Sequence, residues 1–353
     1  MPRVSVICPA YNRGAAIAGT IASVQAQTLR DWELIVVSDG SDDDTDEVVR
    51  TLAERDERIR LLRTRHHGHP SEPRNIGLAE SKGEIIAYID HDDRWLPRHL
   101  ELLTGALAAG AQLAATAATK VNASGAVLDV TPPLLLCWHP EIQVTHAVFE
   151  PTQAAHVAGL AEEVGGWRVS MTGLEDWDLW LRMADAGARC QTVAEPTVLE
   201  LVDPGTRQSM VVTEHGWEIA RFESMLAARA AYRALKDLRR VEAAREAMLK
   251  DVRAWYGSMA ARGELAVPIG WHADWAEIDK ALVDTVSRTQ ITSKELWPDI
   301  AIVQRDGYVA LVHLVSSMTA DHAERIGELT RKVMRHQMTL YADVLESRRI
   351  TAQ

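Results

Sequence analysis

Three short runs rich in β-branched and apolar residues, at 3–7, 33–37 and 84–89, each stop abruptly in a polar loop. After the first loop, Ile17, Ile21 and Val24 recur at helical spacing, and Val48, Val49 and Leu52 do so after the second. A further run at 59–62 and a helix opening at Pro73 continue the alternation. Strand and helix in turn at these lengths predict an α/β fold with a mostly parallel sheet covered on both faces, whose ligands bind beyond the carboxyl ends of the strands. The loops at 9–13, 39–45 and 90–93 then share one edge.

The third of these loops reads Asp90-His91-Asp92-Asp93. Carboxylates packed this closely repel one another unless a cation or solvent takes their charge, so the run points to metal-assisted chemistry. Strand alternation turns His91 away from Asp90 and Asp92, which gives it a structural role. No Gly-x-Gly-x-x-Gly follows the first strand and no Gly-x-x-x-x-Gly-Lys-Ser/Thr occurs, so dinucleotide and P-loop readings lose their support.

The 353 residues suffice for two structural units, and a formal net charge of -12 argues against a nucleic-acid partner bound through a basic surface. Cys8, Cys137 and Cys190 lack any Cys-x-x-Cys spacing, so neither a disulfide framework nor a structural zinc site is expected. The chain shows no signal-peptide pattern at its start and no apolar run of the roughly 20 residues needed to cross a bilayer. A soluble cytoplasmic protein without a transmembrane segment is expected. Residues 134–138 read as a short buried strand, and His66-His67-Gly68-His69 as a solvated connection.

Taken together, five ordered motifs resemble glycosyltransferase family 2 over about the first 215 residues. They are Val4-Ser5-Val6-Ile7-Cys8-Pro9-Ala10-Tyr11-Asn12-Arg13, Glu33-Leu34-Ile35-Val36-Val37-Ser38-Asp39-Gly40-Ser41, Arg74-Asn75-Ile76-Gly77, the Asp90–Asp93 cluster, and Leu174-Glu175-Asp176-Trp177-Asp178-Leu179-Trp180-Leu181-Arg182. The resemblance implies a GT-A fold over 1–215, a Rossmann-like mixed sheet with helices on both faces. It also implies an inverting, non-processive transfer of sugar from a nucleotide sugar, a UDP-sugar, to an acceptor the sequence leaves open among peptide, glycan, lipid and small metabolite. The Gln-x-x-Arg-Trp motif of the processive members is absent.

By this resemblance Pro9 and Tyr11 line the nucleotide pocket, Asp39 accepts a hydrogen bond from the uracil imide, and Arg74 lies beside the base or phosphates. Asp90 approaches the ribose or the metal, Asp92 coordinates Mn²⁺ or Mg²⁺, and Arg207 contacts phosphate. Such hard cations prefer oxygen ligands and keep several waters, so one or two carboxylates plus a diphosphate suffice. Asp176 becomes the base that takes the acceptor proton, with Glu175 orienting it. Trp177, Trp180, Leu181 and Ala184 fall at i, i+3, i+4 and i+7, which makes the two tryptophans packing residues.

Residues 216–353 are expected to form a mainly helical accessory domain for acceptor selection or homodimerisation. A long helix or helical pair is predicted over 217–256, a hinge at 263–270, a helix at 275–286, a hairpin from 299–303 and 308–314, and a last helix at 320–346. Two rival readings are a nucleotidyltransferase, which shares acidic metal ligands on an α/β sheet, and a catalytically inactive sugar-nucleotide-binding or scaffold protein.

Overall fold

A computed structural model describes residues 2–145, 148–169, 175–202, 215–222, 238–288, 300–305 and 308–315. Its contacts divide the chain into two compact units, one of residues 1–211 with 266–272 and one of 212–265 with 273–353.

The first unit is built on one mixed sheet. Strands β1 (Val4–Ala10), β2 (Trp32–Ser38), β3 (Ile59–Arg63) and β4 (Ile85–Tyr88) run parallel, with β1 between β2 and β4. Every residue of β1 and β2 is buried, as befits mainly apolar strands covered on both faces, and the polar Ser5 and Glu33 satisfy each other with a 2.6 Å hydrogen bond. The other strands are β5 (Arg94–Trp95), β6 (Leu113–Val121), β7 (Val127–Val130), β8 (Ala154–Val157) and β9 (Cys190–Leu201). Their order is β3-β2-β1-β4-β8-β6-β9-β5, with β7 paired to β6. The parallel run breaks at β8, antiparallel to both β4 and β6, and again at β5, antiparallel to β9; β7 is antiparallel to β6. Since β6 pairs antiparallel with β8, it runs in the direction of β4, and β9 follows it in parallel.

Helices α1 (Gly14–Gln25), α2 (Thr45–Ala53), α3 (Ser71–Glu80) and α4 (His99–Ala108) connect these strands. The helical spacing of Ile17, Ile21 and Val24 is explained by their complete burial on the inner face of α1. Shorter helices α5 (Pro140–Thr145) and α6 (Leu160–Glu163) precede α7 (Glu175–Asp185), which carries the Glu175-Asp176 pair in its first turn.

Two expectations are corrected in this unit. Residues 134–138, buried except for Leu135, are not a strand: Pro133–Leu136 form a 3-10 turn, since proline's fixed φ and missing N–H suit the start of a helical turn. The segment at 263–270 is not a plain hinge. Ala266 and Trp138 exchange two backbone hydrogen bonds of 2.9 Å, Ile269 donates to Thr192 at 2.8 Å, and Ala194 donates to Ile269 at 2.8 Å, so the segment is strapped to β9.

In the second unit α8 (Leu238–Ala261) and α9 (Trp275–Arg288) bury Tyr256, Met259, Ile278, Leu282 and Val286, and Arg253 pairs with Asp279. Its sheet is antiparallel, in the order β10 (His215–Phe222), β12 (Tyr308–Val315), β11 (Ile300–Arg305). The β11–β12 hairpin matches the expectation, Arg305 standing opposite Tyr308. The helix expected from residue 217 is displaced by β10. Trp217 and Ile219 alternate with polar or small neighbours, and pairing to β12 outweighs the helical propensity of a stretch without Pro or Gly. The last helix, at 320–346, lies outside the described residues. No described helix is long and apolar enough to cross a membrane.

Candidate active site

Parallel register brings the ends of β1, β2 and β4 to one edge, and side chains then tie their loops together. Asn12 takes a left-handed backbone with φ 48, the conformation Asn tolerates best among residues with a Cβ. That turn lets its side chain donate to Asp42 at 2.7 Å and accept from the Asp42 N–H at 3.0 Å. The Arg13 N–H donates to Thr45 Oγ1 at 2.7 Å and the Gly14 N–H to Asp43 at 3.0 Å. The first two loops are therefore braced against each other before any ligand arrives.

Asp39 sits at the end of β2 with its carboxylate nearly buried. Its Oδ1 accepts from the His67 N–H at 2.9 Å and lies 2.8 Å from His67 Nδ1; its Oδ2 accepts from the Gly68 N–H at 3.1 Å. His66 Nδ1 stands 3.0 Å from the Asp39 carbonyl and 3.2 Å from Oδ2. The histidine run is thus no solvated connection. It wraps Asp39, and its side chains were missed because their target lies 28 or so residues earlier in the sequence. Tyr11 faces the same loop, its ring stacked on His66 with centroids 4.2 Å apart and planes at 22°. Pro9 is buried within β1, where its carbonyl meets His91 Nδ1 at 3.1 Å.

Beyond β4 the three aspartates separate in role. Asp93 is buried, its Oδ2 accepting from Thr152 Oγ1 at 2.7 Å and its Oδ1 from the Leu201 N–H at 3.1 Å. Burial first, then the charges of Asp90 and Asp92, raise its pKa well above the usual carboxylate range, and it works as a staple to the end of β9. Asp92 is half-buried, its nearest basic nitrogens being Arg13 Nε at 3.7 Å and His91 Nε2 at 3.8 Å. His91 therefore does not point away as strand alternation suggested: β4 ends at Tyr88, and 90–93 is a turn in which period two does not hold. Burial lowers the His91 pKa, which favours a neutral ring.

Arg74 on α3 joins this loop to α7. It is 3% exposed, donates through Nη2 to Asp90 Oδ1 at 2.9 Å and through Nη1 to Glu175 Oε1 at 3.2 Å, and lies 4.5 Å over the Trp167 ring. Next to it, Asn75 brackets Trp167 with two hydrogen bonds of 2.7 and 2.8 Å to its carbonyl and N–H. Arg74 is thus enclosed by protein on three sides, where the resemblance had set it beside base or phosphate.

Glu175 and Asp176 are neighbours with opposite tendencies. Burial works to raise the Glu175 pKa, but the His69 imidazole, 3.6 Å away, and Arg74 outweigh it and hold the group at about 2. For Asp176, burial is the largest effect, and the charges of Glu175 and Glu150 add to it, pushing the pKa up to about 7. A 2.8 Å hydrogen bond from the Trp177 N–H works the other way. A carboxylate poised near neutrality beside a permanently ionised one is what an acid–base role needs.

Trp180 is fully buried against Tyr88, Trp167 and Phe149, and Trp177 donates to the Gln143 carbonyl, so both pack as expected. Gly165 and Gly166 have φ of 88 and 68 and form a tight turn whose carbonyl at Gly166 takes a hydrogen bond from Arg182 at 2.8 Å. Arg207 lies outside the described residues.

Residues 5–144 match the model of Glycosyl transferase family 2. Among curated proteins, the chain is 40% identical over 108 residues to the GalNAc(5)-diNAcBac-PP-undecaprenol beta-1,3-glucosyltransferase of Campylobacter jejuni, covering 30% of this chain and 33% of that protein. It is 38% identical over 99 residues to the UDP-Glc:alpha-D-GlcNAc-diphosphoundecaprenol beta-1,3-glucosyltransferase WfgD of Escherichia coli, covering 28% and 38%. The chain thus spans between a third and two fifths of the length of these two relatives. The S. aureus TarS 1-349 structure in complex with UDP-GlcNAc superposes with a TM-score of 0.54 at 16% identity, covering 99% of this chain and 92% of that one, a likeness of fold. The mixed sheet is accordingly a GT-A fold, and residues 5–144 carry the similarity to glycosyl transferase family 2.

Proposed function

We propose that the protein transfers a sugar from a UDP-sugar to an acceptor hydroxyl with inversion at the anomeric carbon. The observation that carries this reading is the bridge that Arg74 makes from Asp90 to Glu175, which ties the loop carrying Asp92 to the helix turn carrying the near-neutral Asp176. Asp176 takes the acceptor proton, and the oxygen attacks the anomeric carbon from the side opposite the diphosphate. The bond to the diphosphate breaks, and the nucleoside diphosphate departs. Glu175, kept ionised, raises the basicity of Asp176, so that the ionised Asp176 takes the acceptor proton more readily. Asp39, held by the His67 and Gly68 amides, presents an acceptor-only group suited to a uracil imide.

The residues fit a divalent cation. Asp92 and Asp90 are hard oxygen donors, and one oxygen of Asp90 is not engaged by Arg74. Among the described residues no cluster of three or more ligating side chains exists, so Asp92 and Asp90 would hold Mn²⁺ or Mg²⁺ together with the diphosphate and water. Such an ion supplies neutralisation of the charge that grows on the leaving group.

The E. coli relative takes UDP-glucose and a diphosphoundecaprenol-linked sugar, by its name, so a sugar hydroxyl is the acceptor class to try first. Purified protein with Mn²⁺ and a panel of UDP-sugars, read by mass spectrometry for released UDP, tests the donor side. UDP release by the wild type and its loss in a folded Asp92→Asn variant are expected. Equal release by both would refute the metal role, and turnover of nucleoside triphosphates instead would favour the nucleotidyltransferase reading.

A further inference from the structure

His66 occupies two contacts at once: its ring lies flat on Tyr11, and its Nδ1 stands 3.2 Å from Asp39 Oδ2. The proposed reading gives the carboxylate to the uracil imide, and the resemblance sets Tyr11 in the nucleotide pocket, where a flat base would stack on its ring. We propose that His66 is a stand-in for the nucleobase, a built-in competitor that must swing aside before the donor can bind. The inference rests on the nucleotide-sugar reading above.

Counting acceptor sites supports the competition. A carboxylate offers about four lone-pair positions. Two on Oδ1 face the His67 N–H and Nδ1, and one on Oδ2 takes the Gly68 N–H. The position left is the one His66 approaches. Stacking leads to the same result, because ring centroids 4.2 Å apart leave no space for a third ring between Tyr11 and His66.

The histidine can move while its backbone stays. Its side chain is 49% exposed, so solvent is open to it on the outer side. The backbone is held close: the Thr64 N–H donates to the Ser38 carbonyl at 2.9 Å, and a Cβ on Gly40 would stand 2.7 Å from the His66 nitrogen. With the loop pinned and Asp39 already oriented by His67 and Gly68, rotation of one side chain opens both contacts together.

The test is calorimetric titration of the full chain with uridine monophosphate, without metal, so that only base and ribose contacts are read. Removing the competitor in His66→Ala should tighten binding about two- to tenfold, the range expected for losing one stacked pair. His66→Phe, which keeps a ring on Tyr11, should stay nearer the wild type. Equal or weaker binding by a His66→Ala protein of unchanged melting temperature would overturn the inference while leaving the nucleotide site in place, since His66 would then be a wall that supports the base. Absence of binding by the wild type and by His66→Ala alike would bring down the nucleotide reading as well. An Asp39→Asn control that abolishes binding in both backgrounds supports the two together.

Discussion

Asp176→Asn should stabilise the protein at alkaline pH while removing its activity. The carboxyl is pushed from its ordinary 3.8 to about 7, so the folded chain holds that proton far more tightly than the unfolded chain does. Each tenfold in proton affinity is about 1.4 kcal/mol, so the full effect amounts to about 4 kcal/mol. Residual solvent contact at Asp176 and its shared titration with Glu175 reduce this to ~1–2 kcal/mol in practice. The sign follows from the raised value: this contribution is complete below pH 3.8, shrinks as pH rises, and is gone above about 7. Asn stays neutral throughout. The variant should therefore melt with the wild type near pH 4 and about 2–8 °C above it at pH 8, scaling from domains of this size. Scanning calorimetry at both pH values reads this directly, and sugar transfer should fall by about 10²–10⁴. A melting difference independent of pH, or a variant that melts lower at pH 8, would refute the reasoning.

The wild-type profile of kcat/KM should lose about tenfold for each pH unit below 7, and Glu175→Gln, which removes the nearest like charge, should move that limb to lower pH; a flat profile from pH 5 to 8 would exclude Asp176 as the base. Arg74→Met leaves Glu175 without its main cation in a buried position, and a loss of ~3–5 kcal/mol in urea unfolding is expected, with Arg74→Lys recovering only part because one ammonium cannot span both carboxylates. Gly40→Ala forces a φ of 72 onto a residue with a Cβ and drives that Cβ against the His66 backbone, so a loss of ~1–3 kcal/mol in the same assay is expected; unchanged stability would show that the 64–68 loop yields easily.

Much of the donor side was legible from sequence because the geometry of parallel strands does the assembling. Once β1, β2 and β4 were read from their apolar runs, the loops carrying Tyr11, Asp39 and Asp92 had to emerge at a common edge. Local propensity was also enough for α3, α7 and the β11–β12 hairpin. What escaped depends on distant partners. Nothing within residues 64–69 announces that they fold around a carboxylate from the previous strand, and nothing in 266–269 announces a pairing with Trp138 and β9. β10 was misread for the same reason, since its strand exists only because β12 is there to pair with it.

Arg74 shows how a motif can mark a residue without announcing its surroundings. A sequence motif marks it as part of the site, and a surface cation near phosphates is then the natural expectation. Trp167 alters that outcome by covering the guanidinium, and Asn75 fixes Trp167 in place by holding both its backbone polar groups. Buried in this way, the cation needs anions at hand, and it finds one on each side of the cleft, in Asp90 and Glu175. The consequence is that the donor-side and acceptor-side carboxylates share one counter-charge. A cation received by Asp90 would leave Arg74 less shared and its hold on Glu175 firmer, which alters the surroundings that keep Asp176 near neutrality. On the proposed reading, donor binding and the basicity of Asp176 are therefore expected to be coupled through this single buried side chain.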